Sequence, residues 1–334
     1  MYVSGNAIAA HPRRQLVAPQ GFTNRDFSVV IATHNRRHLL ARAIISALAQ
    51  DIGAPEVVVV DDASSDGTAR YVTTAFPDVR FHRMEHQGGP GPCRNTGIEL
   101  ATGQWVVILD DDDELRPDAL RTIATRLSAF AELGRYPVFK FRRTDGVLTV
   151  PFQLSRVPDL LSKERRGEFV SVWNRAQSLA LKCRYPEHRL GAEAPLWIEL
   201  ADRFGLPTWA DCIGIMHRDA GQWLLRLQTD IPDARDRAEI QDSILRLLLP
   251  HQADPRVAAV IAERLLISGL YWLMAGERRR ALQRAWMLRR RNPRGAAKLV
   301  VAAGLPRGVI VRRFRARRDR EDLTSAPPVE TGWS

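Results

Sequence analysis

Two runs of aliphatic residues end abruptly in carboxylates. Glu56-Val57-Val58-Val59-Val60 closes in Asp61-Asp62, and Val106-Val107-Ile108-Leu109 closes in Asp110-Asp111-Asp112-Asp113-Glu114. Apolar runs of this length, rich in β-branched residues and bounded by turn-formers such as Gly103, predict strands buried on both faces. Phe27-Ser28-Val29-Val30-Ile31-Ala32, closed by Thr33-His34-Asn35-Arg36, is a third, and residues 79–83 form a shorter fourth. Helical spacing fills the gaps: Leu39, Leu40, Ala43, Ile44 and Leu48 predict a helix to about Gln50, and Asp66 caps another through Phe76. A glycine-rich loop over residues 88–97 runs into a helix ending near Ala101. Strand and helix alternate, which predicts an α/β fold with a mostly parallel central sheet and helices on both faces.

Sheets of this kind bind ligands beyond the carboxyl ends of their strands. All four polar clusters fall there: residues 33–35, Asp61-Asp62, the glycine loop and residues 110–113. Neighbouring carboxylates repel, and desolvating them unpaired is costly. A hard divalent cation with oxygen ligands, Mg2+ or Mn2+, is therefore expected among them. The plainer alternative is a solvated acidic turn before the helix that starts near Pro117.

The second half of the chain is less regular. A helix is predicted over 121–133, short strands over 137–141, 146–150 and 169–173, and a late strand over 209–217. Leu190-Gly191-Ala192-Glu193-Ala194-Pro195 opens a helix with Leu196, Trp197, Leu200 and Phe204 on one face. Beyond Thr229 come helical stripes such as Ile240, Ile244, Leu247 and Leu248, with arginine clusters at 278–280, 289–291 and 312–318. The longest apolar stretch, 257–276, is broken by Glu263 and Arg264, so no membrane span is expected. Residues 1–25 lack the apolar core of a leader peptide. The three cysteines, odd in number and without ligand spacing, point to a reducing compartment and exclude a disulfide scaffold. A net charge of +11 suits a nucleotide, a polyanion or an acidic membrane face as neighbour. No recognised nucleic-acid-binding pattern accompanies that charge, so no nucleic-acid partner is expected.

FSVVIATHNR, VVVVDDASSDGT, GGPGPCRNTGIELATG and VVILDDDDEL, in this order, resemble the family 2 glycosyltransferases of GT-A fold over about residues 27–217. The resemblance implies an inverting enzyme that moves a sugar from a nucleotide-diphospho-sugar (UDP-, dTDP- or GDP-linked) to a hydroxyl of a glycan or lipid-linked acceptor. It assigns donor binding to Thr33, Asn35, Asp62, Gly89, Arg94, Asn95, Asp110 and Asp111. Asp112, in the Asp110-x-Asp112 element, becomes the ligand of Mg2+ or Mn2+, with His217 as a further candidate ligand. Glu193 becomes the base, standing where the family places the second acid of a pair, with Ala192 at the first. That missing acid leaves a non-catalytic nucleotide-sugar or glycan binder as the alternative. The expected organisation is a lead-in over 1–25, a GT-A domain over 26–228 (donor half 27–118, acceptor half 119–228), a basic helical segment over 229–322 and a flexible tail over 323–334. The expected location is cytoplasmic, with the basic helices peripheral on the anionic inner face of the plasma membrane.

Overall fold

The computed structural model describes residues 21–187, 192–217 and 233–314. Its first half is β1 (Phe27–Thr33), α1 (Arg37–Leu48), β2 (Glu56–Asp61), α2 (Thr68–Ala75), β3 (Arg80–Arg83), α3 (Pro90–Leu100) and β4 (Trp105–Asp110). The strands run parallel in the order β3-β2-β1-β4. Side chains alternate across a strand, so each strand feeds two cores. Val30, Val58, Val60, Val106 and Ile108 face one side, where α3 supplies Cys93 and Ile98. Val29, Ile31, Val57, Val59, Val107 and Leu109 face the other, where α1 supplies Leu40, Ala43 and Ile44. Burial on both faces is why these runs lack polar residues. The helix α3 begins at Pro90, so the glycine loop is shorter than expected and residues 90–97 belong to the helix.

Then follow β5 (Glu114–Leu115), α4 (Ala119–Ser128), β6 (Val138–Arg143), β7 (Val147–Leu148), β8 (Phe152–Ser155), α5 (Val157–Leu160), β9 (Arg165–Arg166), β10 (Phe169–Asn174), α6 (Arg175–Ala180), α7 (Ala194–Arg203) and β11 (Leu206–Ile215). The sheet continues β4-β10-β6-β11-β5, with β8 also paired to β11. Beyond β4 the pairing turns mixed: β10 is antiparallel to β4 and to β6, and β11 is parallel to β6. The parallel character predicted for the sheet therefore holds on the β3-to-β4 side. The helix α4 stops at Ser128 rather than 133, and β11 ends two residues before His217.

The described part of the C-terminal segment is helical and includes α8 (Ala234–Leu248), α9 (Pro255–Met274), α10 (Arg278–Leu288) and α11 (Pro293–Ala303). They share one continuous apolar core with α3 and α7. Asp242 ties three of them together: it accepts from Ser268 Oγ (2.6 Å), Trp272 Nε1 (3.0 Å) and Arg284 Nη2 (2.6 Å). A Cβ on Gly269 would lie 2.6 Å from Leu299 Cδ1, so glycine is what lets α11 approach α9. By length and composition alone α9 is sufficient to cross a membrane, despite Glu263 and Arg264. Its Val257, Ile261, Leu265 and Trp272 are nonetheless buried in the shared core. The stretches 1–20 and 315–334, and with them most of the expected lead-in and all of the expected tail, lie outside the described residues.

Candidate active site

Register brings the polar clusters together. Thr33 pairs with Asp61 across β1 and β2, and Ala32 with Asp110 across β1 and β4. Asp62 N–H donates to Thr33 O (2.9 Å), and the Asp62 carboxylate accepts from the N–H groups of Gly88 (2.7 Å) and Gly89 (2.9 Å). Gly89 has a φ of +92°, which a side chain would strain. A Cβ on Gly91 would sit 2.3 Å from Pro186 O, so the close approach of residues 185–186 to α3 requires glycine there. Asn35, at φ 52°, accepts from Ser65 N–H through Oδ1 (2.7 Å).

The acids form a turn, with Asp113 N–H donating to Asp110 O (3.2 Å). One oxygen from each of Asp110, Asp112 and Asp113 lies within 4.8 Å of the others. Arginines surround them. Arg36 Nη1 reaches Asp111 (3.1 Å) and Asp112 (3.0 Å); Arg94 Nη2 reaches Asp110 (2.6 Å); Arg143 Nη1 reaches Asp113 (2.5 Å). Burial pushes Asp111 up to about 6, against the pull of Arg36. Burial and the neighbouring Asp110 raise Asp112, and burial raises Asp113 against the pull of Arg143. Burial acts on Asp110 too, but Arg94 and Arg143 outweigh it and hold that carboxyl below its ordinary value. The site is thus a crowded acid cluster only partly neutralised by guanidinium groups. Three hard oxygen donors in one turn fit a Mg2+ or Mn2+ ion.

Glu193 stands at the N-cap of α7 but makes no capping bond with its side chain. It ion-pairs with Arg94 Nη1 and accepts from Trp197 Nε1 (3.2 Å). Arg94 therefore bridges Glu193 to Asp110. The face of Trp197 rests on Lys140, whose ammonium lies 3.2 Å from the ring centroid.

Several expected residues turn out to hold the scaffold. Both ends of the Asn95 amide are taken by the Tyr185 backbone (2.8 and 2.9 Å), so it ties that segment to α3. Thr33 Oγ1 donates to Asp111 (2.7 Å), and both are buried. His217 Nε2 lies 2.9 Å from Glu114 and outside the acid triad, where Asp113 stands instead. Arg36, Asp113, Lys140 and Arg143 were not assigned from sequence. For Lys140 the signal was present: it is a lone charge inside the apolar run Val138-Phe139-Lys140-Phe141, whereas Arg143 sits at the polar end of the same strand.

The sequence profile described as Glycosyl transferase family 2 matches residues 28–166. The chain is 46% identical over 106 residues to the succinoglycan biosynthesis protein ExoO of Rhizobium meliloti, covering 31% of this chain and 30% of that one. It is 35% identical over 188 residues to the GalNAc(5)-diNAcBac-PP-undecaprenol beta-1,3-glucosyltransferase of Campylobacter jejuni, covering 52% and 59% respectively. Thus it spans less than two thirds of the length of either relative. The crystal structure of residues 1–349 of S. aureus TarS in complex with UDP-GlcNAc superposes with a TM-score of 0.55 at 17% identity, covering 80% of this chain and 92% of that one. That likeness concerns the fold. The ordered motifs and the profile match agree that residues 28–166 form a family 2 glycosyltransferase region, and the strand order and the superposition give the chain a GT-A fold.

Proposed function

We propose that the protein is an inverting glycosyltransferase that moves a hexosyl group from a nucleotide-diphospho-sugar to a hydroxyl of a glycan or polyprenyl-linked acceptor. The observation that carries this reading is the Arg94 bridge, which couples the carboxylate at the head of α7 to the acids at the end of β4. Asp62 stabilises the glycine turn, and its remaining lone pairs suit an imide N–H of uracil, thymine or guanine. Asp110, Asp112 and Asp113 would hold a Mg2+ or Mn2+ ion, which when bound supplies Lewis-acid stabilisation to the departing diphosphate. Glu193, oriented by Arg94 and Trp197, accepts the proton of the acceptor hydroxyl. The freed oxygen attacks the anomeric carbon opposite the leaving group, so the configuration inverts. The Campylobacter relative's name, a transferase acting on a PP-undecaprenol saccharide, supports a lipid-linked acceptor, and ExoO's supports polysaccharide assembly. Both fit a cytoplasmic protein working at the inner membrane face.

The test is nucleoside diphosphate release from a panel of UDP-, dTDP- and GDP-sugars with Mn2+ or Mg2+. Asp112→Asn and Glu193→Gln should each lower turnover by about 100-fold or more. Full activity in both variants defeats the assignment. Ala192, standing where the family has an acid, favours one other reading: saturable nucleotide binding without any diphosphate release would mark the protein as a binder.

A further inference from the structure

We propose that α10 and α11 form an anionic-membrane docking face, with Leu282, Trp286, Val300 and Val301 entering the headgroup boundary beneath a belt of arginines. Nine large hydrophobic side chains are exposed among the described residues, and these four lie on this one helical pair. Trp286 is 65% exposed and Val301 70%, with no packing against the described residues to account for such apolar side chains. The two helices bury their other faces: Ala281, Ala285 and Leu288 on α10, and Gly295, Ala296, Leu299 and Ala303 on α11. Helical periodicity then puts Arg279, Leu282 and Trp286 on one outward stripe, with Arg290 in the turn that follows, and Arg294, Ala297 and Val301 on another.

Charge identifies the occupant. Residues 278–314 contain twelve arginines and lysines and no aspartate or glutamate. Of the twelve, Arg284 alone forms an ion pair among the described residues, with Asp242. Arg289 stacks on Trp286, its guanidinium 3.8 Å from the ring centroid, so the cation rides at the edge of the apolar patch. Apolar side chains in the middle of uncompensated arginines fit an anionic lipid surface, where acyl chains take the former and headgroup phosphates the latter. A nucleic acid would satisfy the charge and leave the valines and Leu282 in water. The face belongs to the same core as α7, which follows Glu193, so a bilayer held here lies on a rigid extension of the acceptor-side scaffold. This deepens the membrane-acceptor reading above, yet its test uses neither donor nor metal, so failure of the transfer chemistry leaves it intact.

The experiment is co-sedimentation of the full chain with vesicles of phosphatidylcholine alone or with 30% phosphatidylglycerol, at low and high salt. Binding is expected to the anionic vesicles only and to fall with salt. Trp286→Ser with Val301→Ser should weaken it about tenfold or more, as should Arg290→Glu with Arg294→Glu. All four positions are solvent-facing, and an unchanged far-UV spectrum and thermal midpoint show that the variants fold. Equal binding to neutral vesicles would overturn the proposal, as would anionic binding that both double variants retain. Binding to a homopolymeric RNA with no preference for phosphatidylglycerol would also overturn it and identify a general polyanion site.

Discussion

Arg143 faces four carboxylates from a nearly buried position, so its removal should be costly. Its side chain is 11% exposed and lies against Asp113 at 2.5 Å, Asp145 at 2.6 Å, Glu168 at 3.0 Å and Asp110 at 3.7 Å. Replacing it by methionine keeps most of the stem's volume and deletes the charge. Each pair is worth about 4–7 kcal/mol of gross attraction at an effective dielectric near 20. Most of that is offset by desolvation, and the remaining acids take up protons. Breaking a buried pair from one side nets about 3–5 kcal/mol of lost stability. The matched control is Arg126→Met. Arg126 holds Asp211 with two hydrogen bonds of 2.8 and 2.9 Å but is 45% exposed, so its loss should cost under about 1 kcal/mol. Urea unfolding at pH 7, read by circular dichroism, separates the two. A deficit below about 1 kcal/mol for Arg143→Met, equal to that of Arg126→Met, would refute the claim that this arginine is the structural counter-charge of the acid turn.

Three further outcomes follow from single contacts. Gly91→Ala forces a methyl into Pro186 O, a backbone atom that cannot swing aside, so a loss of about 1–3 kcal/mol and weaker nucleotide binding are expected in a thermal-shift titration. Asp62→Asn puts an amide where two backbone N–H donors now meet a carboxylate, and leaving one unsatisfied should cost about 1–3 kcal/mol, measured by urea unfolding. Burial lowers the Lys140 ammonium to about 7, while Glu193 and the Trp197 face pull the other way. The unfolded chain keeps that proton to about pH 10.4, so stability should rise with pH between about 7 and 10, at no more than about 1.4 kcal/mol per pH unit. Lys140→Met should abolish that slope, and an unchanged slope would show that the lysine titrates normally.

The donor half was legible because each of its strands states its own burial. Residues 29–31, 57–60 and 106–109 are apolar without interruption, and helices cover both faces of the sheet they form. Their polar ends were equally plain, since a strand that stops in aspartates marks its own edge. The other half was not, because its signals are non-local. Nothing in residues 169–174 says that β10 slots between β4 and β6, and β5 is only two residues long. Partners that depend on that order were hidden with it. Arg143 meets Asp113 only because β10 carries β6 alongside the acid turn. The Asn95 amide's partner in the fold, the Tyr185 backbone, is 90 positions away and leaves no local trace in the sequence. Glu193 was assigned through the family resemblance, while its tie to Arg94 needed the fold.

The most direct measurement is anomalous diffraction from crystals soaked in Mn2+ with a nucleoside diphosphate. The account predicts a manganese peak coordinated by oxygens of Asp110, Asp112 and Asp113 and by the diphosphate, with Arg36 or Arg94 moved off its present carboxylate partner. No peak at that turn, with nucleotide bound elsewhere and the three acids still held by their arginines, would contradict it.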